Sequence, residues 1–475
     1  MEPQPLYIGG AWRETGQVVA ILSPYSGKPV GHVHLGGEPE MNDAITAAYE
    51  ARLPLRSLTN AARGVALDRI RLGLIERKEE ISRTLAGESG KPIRDARAEL
   101  DRAAHTFQIA AEEARRFGSG ETIPLDRMET SAGRYAVTRR IPAGVVGAIT
   151  PFNFPINLVA HKVAPALASA NPVVLKPAHQ TPLTAFLLAE IVHGAGLPAG
   201  SFNVAHTEPA VGTMLATDPR VAVLSFTGSG KIGWELKAKA PRKKVILELG
   251  GNAAVIVDAS ADPVDAARRC AAGAFAYAGQ VCISVQRILV HEDIGDEFEK
   301  ALLAAVEALK IGDPLADSTD VGPMITEQAA RRAEEWVREA VESGARLLTG
   351  NPRAQGPFFP PTVLADAPLD CRVEQEEVFA PVATLARFTT FADAVERVNY
   401  SQYGLQAGVF TGDLANANMA FARLEVGGVI INDVPTYRVD HMPYGGVKES
   451  GFGLEGVRYA MEEMSVLRMM AVRAE

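Results

Sequence analysis

Cys282 lies in Ala278-Gly279-Gln280-Val281-Cys282-Ile283-Ser284, where small neighbours leave room for an electrophile to reach a thiolate. The same setting suits a packing residue, because free cysteine is among the most buried residue types. Glu248 follows the apolar run Val245-Ile246-Leu247 and precedes Leu249-Gly250-Gly251, so its carboxylate has little bulk beside it and could act as a base on water. Asn153, in Thr150-Pro151-Phe152-Asn153-Phe154-Pro155, offers a neutral amide donor in a loop stiffened by prolines. Such a group can stabilise an oxyanion, or can simply serve the turn.

Gly228-Ser229-Gly230-Lys231-Ile232-Gly233 is a G-x-G-x-x-G run between an apolar strand and a helix. Its glycines allow a tight turn, and the helix start offers free N–H groups to a phosphate. Glu248 also stands roughly twenty residues beyond it, where a dinucleotide fold keeps an acid for the ribose. Spacing leaves both roles of Glu248 open. Lys176-Pro177-Ala178 sets a lysine at a strand terminus, and Glu376-Glu377-Val378-Phe379-Ala380-Pro381-Val382 joins acids to an aromatic and a rigid turn.

These residues need a frame. Apolar segments at 145–149, 173–175, 202–204, 221–226 and 245–247 alternate with helical stretches, the pattern of a parallel sheet covered on both faces. Thr181 and Pro182 supply an N-cap and first-turn proline for a helix over 183–193. A second alternation follows, with strands at 255–257, 287–290, 363–364, 383–385 and 429–431 and helices near 263–278, 294–308, 326–343, 391–399 and 414–425. Before both lies a charged helical block from about Pro39 to Phe117, in which Arg94, Arg97 and Arg102 read as a solvated face. Residues 135–141 and 466–472 read as strands, the second without a local partner.

Composition narrows the function classes. The 475 residues are 47% apolar and 22% charged, enough for two or three domains of ordinary globular type. A net charge of −9 disfavours nucleic acid or an anionic membrane as main partner. No apolar run is long enough to span a bilayer, and Met-Glu-Pro-Gln-Pro-Leu-Tyr does not begin like a secretory signal. Three unpatterned cysteines, Cys270, Cys282 and Cys371, form neither a disulfide framework nor a zinc site, so a reducing cytoplasm is expected.

Taken together, the motifs resemble the aldehyde dehydrogenase superfamily from end to end. The matching pieces are Thr150–Pro155, Lys176–Ala178, Phe226–Ser229, Glu248–Gly251, Gly279–Cys282, Glu377–Phe379 with Pro381-Val382, and Pro443–Gly451, in the family's order. The resemblance implies that Cys282 is the nucleophile, Asn153 the oxyanion donor and Glu248 the base that hydrolyses a thioester, which sets aside the ribose role for Glu248. It implies NAD or NADP as cofactor, without metal. Cofactor residues carried over are Thr150, Pro151, Phe152, Lys176, Ala178, His179, Gly228, Ser229, Leu249, Glu377 and Phe379. The implied fold is α/β: a Rossmann-type coenzyme domain (1–119 and 142–250), an α/β catalytic domain (251–448) and a small β oligomerisation arm (120–141 and 449–475), in a homodimer or homotetramer.

Departures bear on selectivity. His179 stands where many NAD-using members carry a glutamate that repels a 2′-phosphate, so NADP is not excluded. Val281 replaces the arginine of some members that take phosphorylated aldehydes. Tyr437, Arg438 and His441, in the loop Asn432–Met442, are polar where substrate tunnels are lined. The segment from Asn432 to Met464 resembles a lactaldehyde dehydrogenase-like subgroup, and implies a small hydroxylated or anionic aldehyde: lactaldehyde, glyceraldehyde or a semialdehyde. The competing account of Arg438 is a pair with Asp440 or Asp433. Competing functions are a coenzyme A-acylating member and a non-catalytic structural relative, against which the set Cys282, Glu248 and Asn153 argues.

Overall fold

Short strands without a polar face must be covered on both sides, and the computed structural model, which describes residues 2–473, builds two such sheets. The larger has eight strands in the order Ala11–Arg13, Leu6–Ile8, Phe202–Val204, Val173–Lys176, Val145–Ile149, Val221–Thr227, Lys244–Glu248 and Gly451–Phe452. From Phe202–Val204 to Lys244–Glu248 neighbours run parallel, so their carboxyl ends share one edge. Thr150, Gly228 and Leu249 follow strands on that edge, and Lys176 ends one. The second sheet has seven strands: Arg346–Thr349, Thr362–Ala365, Val382–Phe388, Arg287–His291, Ala254–Val257, Gln406–Phe410 and Gly428–Ile431.

The charged block resolves into four helices, Glu38–Ser57, Asn60–Glu76, Lys78–Ser89 and Ile93–Arg116. The expected cap on helix Leu183–His193 is corrected. Thr181 makes no cap bond; the buried carboxylate of Glu88 accepts from the N–H groups of Leu183 (2.8 Å) and Thr184 (3.1 Å) instead. A distant acid thus satisfies donors that a local hydroxyl was expected to meet. Gln406–Phe410, an interior strand of the second sheet, was not foreseen, because a glutamine and a glycine break its apolar run.

A third, three-stranded antiparallel sheet joins Thr122–Pro124, Arg134–Pro142 and Ser465–Arg473. The tail strand therefore has its partner within the chain, in register from Ser465–Pro142 to Arg473–Arg134. Upstream of it the tail does not follow this arm: Gly451–Phe452 closes the large sheet against Leu247 and Glu248, and helix Val457–Glu463 packs on helix Asn157–Ala168.

The segment carrying Cys282 is shaped by a rare backbone run. Helix Pro263–Phe275 ends, and Tyr277, Ala278 and Gly279 then adopt left-handed φ values of 48°, 53° and 68°. Such angles cost about 1 kcal/mol or more per non-glycine residue, so the surroundings must enforce them. They do: the buried Tyr277 hydroxyl donates to the Ser89 carbonyl at 2.9 Å, and the Gln280 side chain accepts from Ile325 N–H at 2.8 Å. A Cβ at Gly279 would collide with the Ala380 carbonyl. Gly279→Ala should therefore destabilise the protein by about 2 kcal/mol or more and remove Cys282 from position. A lower urea midpoint together with lost activity is the expected result; a variant matching the wild type in both contradicts this account.

Candidate active site

Three of the elements just described bring Cys282, Glu248 and Asn153 together. Glu248 ends a central strand of the large sheet, Asn153 lies in the loop after Val145–Ile149, and Cys282 follows the left-handed run. The Tyr444 hydroxyl lies between the first two, 3.3 Å from Cys282 Sγ and 3.4 Å from Glu248 Oε1. Asn153 is buried and its Nδ2 donates to the Gln280 carbonyl at 3.0 Å, while Oδ1 has no partner. That bond uses one of two amide hydrogens and leaves the other to donate to a ligand. A thiol, an oxyanion donor and a carboxylate so arranged can form, stabilise and hydrolyse an acyl-sulfur adduct.

The charges behind the thiol are unevenly shared. Arg438 donates to Glu455 at 3.0 Å, and Lys162, fully buried, donates to the other Glu455 oxygen at 2.9 Å. Burial pushes Glu455 up, but Lys162 and Arg438 outweigh it and hold it down at about 2. Glu248 has no such partner. Burial, and then the Glu455 charge, push it up to about 7. The pair therefore consists of a fixed anion and a carboxyl that titrates near neutrality. Burial first, and Glu248 next, also push the Cys282 thiol well above its usual range.

A cavity of about 230 Å³ opens onto Cys282, walled by Lys91, Arg102, Phe154, Tyr277, Thr436 and Arg438. Here the sequence reading needs correction. Arg102 does not belong to a solvated face: it lines this cavity and donates to buried Asp440 at 2.8 Å. Arg94 and Arg97 do pair at the surface, with Asp320 and with Glu79 and Asp317. Tyr437 and His441 do not line the cavity. Tyr437 is 49% exposed, and exposed His441 stands edge-on to the His105 ring, with centroids 6.4 Å apart. Arg438 does line it, but its ion partner is Glu455; Asp440 takes Arg102 and His161, and Asp433 takes Arg269.

The other predicted residues gather along the carboxyl edge of the large sheet. Thr150 N–H donates to the Lys176 carbonyl, and the Phe152 and Phe379 rings meet edge to face at 5.9 Å. Phe379 itself has φ of 50°, a left-handed angle that an aromatic residue adopts only under constraint. Ser229 precedes helix Gly230–Lys239, Gly228 N–H holds the Glu248 carbonyl, and buried Leu249 packs against Gly233. Glu377 accepts from Gly251 N–H at 3.1 Å and is pushed up to about 8 by burial. Ala178 is buried, and the adjacent His179 ring stacks on buried His206, leaving His179 Nδ1 and both His206 nitrogens unpartnered. Among the described residues, Lys176 donates only to the Pro177 carbonyl.

Sequence reasoning missed Tyr444, Lys162, Glu455 and Lys91. A polar hydroxyl inside the glycine-rich run Pro443–Gly451 was a signal for Tyr444. Lys162 and Glu455 had none, since single charges in helix or loop look solvated until packing buries them.

Known proteins resemble this chain along nearly its whole length. A profile described as Aldehyde dehydrogenase family matches residues 12–470. A 3-sulfolactaldehyde dehydrogenase of Priestia megaterium is 44% identical over 468 residues, covering 98% of this chain and 97% of the relative. The crystal structure of aldehyde dehydrogenase 21 from Physcomitrella patens, in complex with the reaction product succinate, superposes with a TM-score of 0.97 at 43% identity, over 100% of this chain and 99% of that one. GapN, a glyceraldehyde-3-phosphate dehydrogenase from Methanocaldococcus jannaschii complexed with NADP, gives 0.92 at 38% identity, over 97% and 100%.

The titration of Glu248 has a kinetic signature. A base must be ionised to take a proton from water, so hydrolysis of an acyl-enzyme should climb with pH through about 7 and level off above it. Glu248→Gln should still form the acyl-enzyme on Cys282, at a reduced rate, and lose steady-state turnover by about 10² or more. A variant whose acyl-enzyme hydrolyses at the wild-type rate contradicts the assignment.

Proposed function

Because the chain belongs to the aldehyde dehydrogenase family, we propose that its substrate is a short aldehyde whose far end carries an anion or a hydroxyl. The enzyme is an NAD(P)-dependent oxidoreductase that converts an aldehyde to its carboxylic acid. The observation that carries the substrate reading is the small cavity above Cys282 with Arg102 in its wall. Drug-sized sites run from roughly 300 to 1,000 Å³, so about 230 Å³ suits a chain of a few carbons. Arg102 keeps one side of its guanidinium for Asp440, and its partial exposure leaves donors for a ligand. The sulfolactaldehyde enzyme and the succinate complex, both similar to this chain, handle molecules of that kind.

The Cys282 thiolate attacks the carbonyl carbon, and the oxygen takes the negative charge within reach of Asn153 Nδ2 and the Cys282 N–H. Covalent capture makes the following transfer effectively intramolecular. The bound dinucleotide supplies the hydride acceptor. The thioester left on Cys282 is then cleaved by water from which Glu248 takes a proton, and the acid departs with the thiol restored.

The residues present fit such a cofactor: three unpartnered imidazole nitrogens and a lysine satisfied by one carbonyl wait at one end of the sheet edge, the helix start at Ser229 lies along it, and Glu377 with Phe379 at the other end. Lys176 and His179 would hold the adenine-side ribose, Ser229 the pyrophosphate, and Glu377 the nicotinamide ribose beside Phe379. Thr150, Pro151, Phe152, Ala178, Gly228 and Leu249 would form the wall. The large sheet, with residues 1–119 and 142–250, is then the coenzyme-binding layer, and 251–448 the catalytic one. No helix among the described residues is long and apolar enough to cross a membrane. Cys270, Cys282 and Cys371 are free thiols, which supports a reducing compartment such as the cytoplasm.

The arm supports a homo-oligomer. Val466, Leu467, Met469 and Met470 are 44–61% exposed on a strand with one open edge, a surface that a second copy would cover. Deleting residues 465–475 should yield monomers by light scattering; an unchanged oligomer sinks this reading.

In a substrate panel, lactaldehyde, glyceraldehyde and succinic semialdehyde should exceed hexanal and benzaldehyde in kcat/KM. Arg102→Gln should raise KM for succinic semialdehyde about tenfold or more, the loss of one charged hydrogen bond, and leave propanal nearly unchanged. Preference for hexanal, or equal effects on both aldehydes, contradicts the reading.

A further inference from the structure

Tyr444 has no part in the chemistry above, yet its hydroxyl touches both of the groups that must exchange a proton, which also meet each other. Oη is 3.3 Å from Cys282 Sγ and 3.4 Å from Glu248 Oε1. Its position is fixed at both ends. The buried ring packs with Ile283 and Leu405. Its backbone N–H and carbonyl pair with those of Glu455 at 3.1 and 2.7 Å. Arg438 lies over the ring face, Cζ 3.6 Å from the centroid, itself held by Glu455 with Lys162 behind.

For packing alone, a phenyl ring would serve as well as a phenol. The hydroxyl meets a different need. An ionised Glu248 opposes a second negative charge on Cys282, whereas a hydrogen bond from Tyr444 favours it. The charged and titratable groups around the phenol are Cys282, Glu248, Arg438, Glu455 and Lys162, and the nearest cation, Arg438, faces its ring.

We propose that Tyr444 is a catalytic residue whose hydroxyl carries the proton from the Cys282 thiol to Glu248 and then remains hydrogen-bonded to the thiolate. The S–H bond breaks as a new O–H bond forms on Tyr444 Oη, and the original hydroxyl proton passes to Glu248 Oε1. Thiol and carboxylate become thiolate and carboxylic acid; the tyrosine is neutral before and after, and no electrons leave or enter. Arg438 over the ring stabilises the negative charge that develops on the phenol oxygen during the exchange. Glu248 passes this proton on to solvent before it acts on water, so one carboxyl serves both halves of the reaction.

The proposal rests on Cys282 being the nucleophile, and its test separates the two. Iodoacetamide alkylation of the cofactor-free enzyme is followed against pH by mass spectrometry. Cys282→Ser must abolish fast alkylation, because Cys270 and Cys371 are buried; if it does not, the nucleophile assignment fails. In Tyr444→Phe, alkylation at neutral pH should fall about tenfold as the midpoint of the profile rises by about one unit. Thermal melting and the affinity for NAD or NADP should be unchanged. A profile superimposable on the wild type overturns the proposal. Should Tyr444→Phe not fold, the wild-type chain made with 3-fluorotyrosine, a more acidic phenol, should alkylate with its midpoint at lower pH, and an unshifted midpoint overturns the proposal equally.

Discussion

Two carboxyl groups, Glu248 and Glu455, are buried in one low-dielectric region at the edge of the large sheet, and both cannot carry charge without compensation. Lys162 and Arg438 settle the conflict by pairing with Glu455 alone. Around that choice the site is arranged. Arg438 is drawn down onto the Tyr444 ring, Tyr444 is pinned beside Cys282, and Glu248 is left as the group with a free proton equilibrium. Exchanging the partners would give a permanently ionised Glu248 beside a thiol that could hardly ionise. The ion cluster thus contributes reactivity more than stability, in keeping with the modest net worth of buried ion pairs.

Much of this was legible in the sequence. The alternation of apolar strands and helices, the small residues around Cys282, the proline-bounded Asn153 and the glycines after Glu248 all report local backbone requirements, and such requirements are written in neighbouring residues. What escaped was long-range. Glu88 reaches 95 positions to cap a helix, Tyr277 crosses to Ser89, and Arg102 leaves an apparently solvated helix face to meet Asp440. Charge at helical spacing cannot tell a face that meets water from one that meets a cavity. The loop 432–442 misled for a related reason: of Tyr437, Arg438 and His441, only Arg438 turns inward, and an irregular backbone has no period from which to read that.

The catalytic loop is held from outside its own sheet. Tyr277 and the neighbouring Lys91 are tied to the helices that flank the large sheet, Lys91 through its buried pair with Glu99, which also accepts from the N–H groups of Ile156 and Asn157 at 3.1 Å. The Glu99 carboxylate therefore fixes the helix behind Asn153, and the Lys91 ammonium lies 3.5 Å from the Phe154 ring centroid and 4.6 Å from that of Tyr277. Nucleophile and oxyanion donor come from different layers but share these few buried contacts, so their separation is set by packing rather than by loop length.

The bond from Asn153 Nδ2 to the Gln280 carbonyl has a consequence for the barrier itself. An amide left to rotate would have to stop, turn and shed water as negative charge appeared on the substrate oxygen, and that reorganisation would add to the activation free energy. With the Gln280 side chain held by Ile325 and the amide bonded to the Gln280 carbonyl, the dipole is fixed before any aldehyde arrives. Its orienting entropy is lost once, during folding, and is not charged again at each turnover.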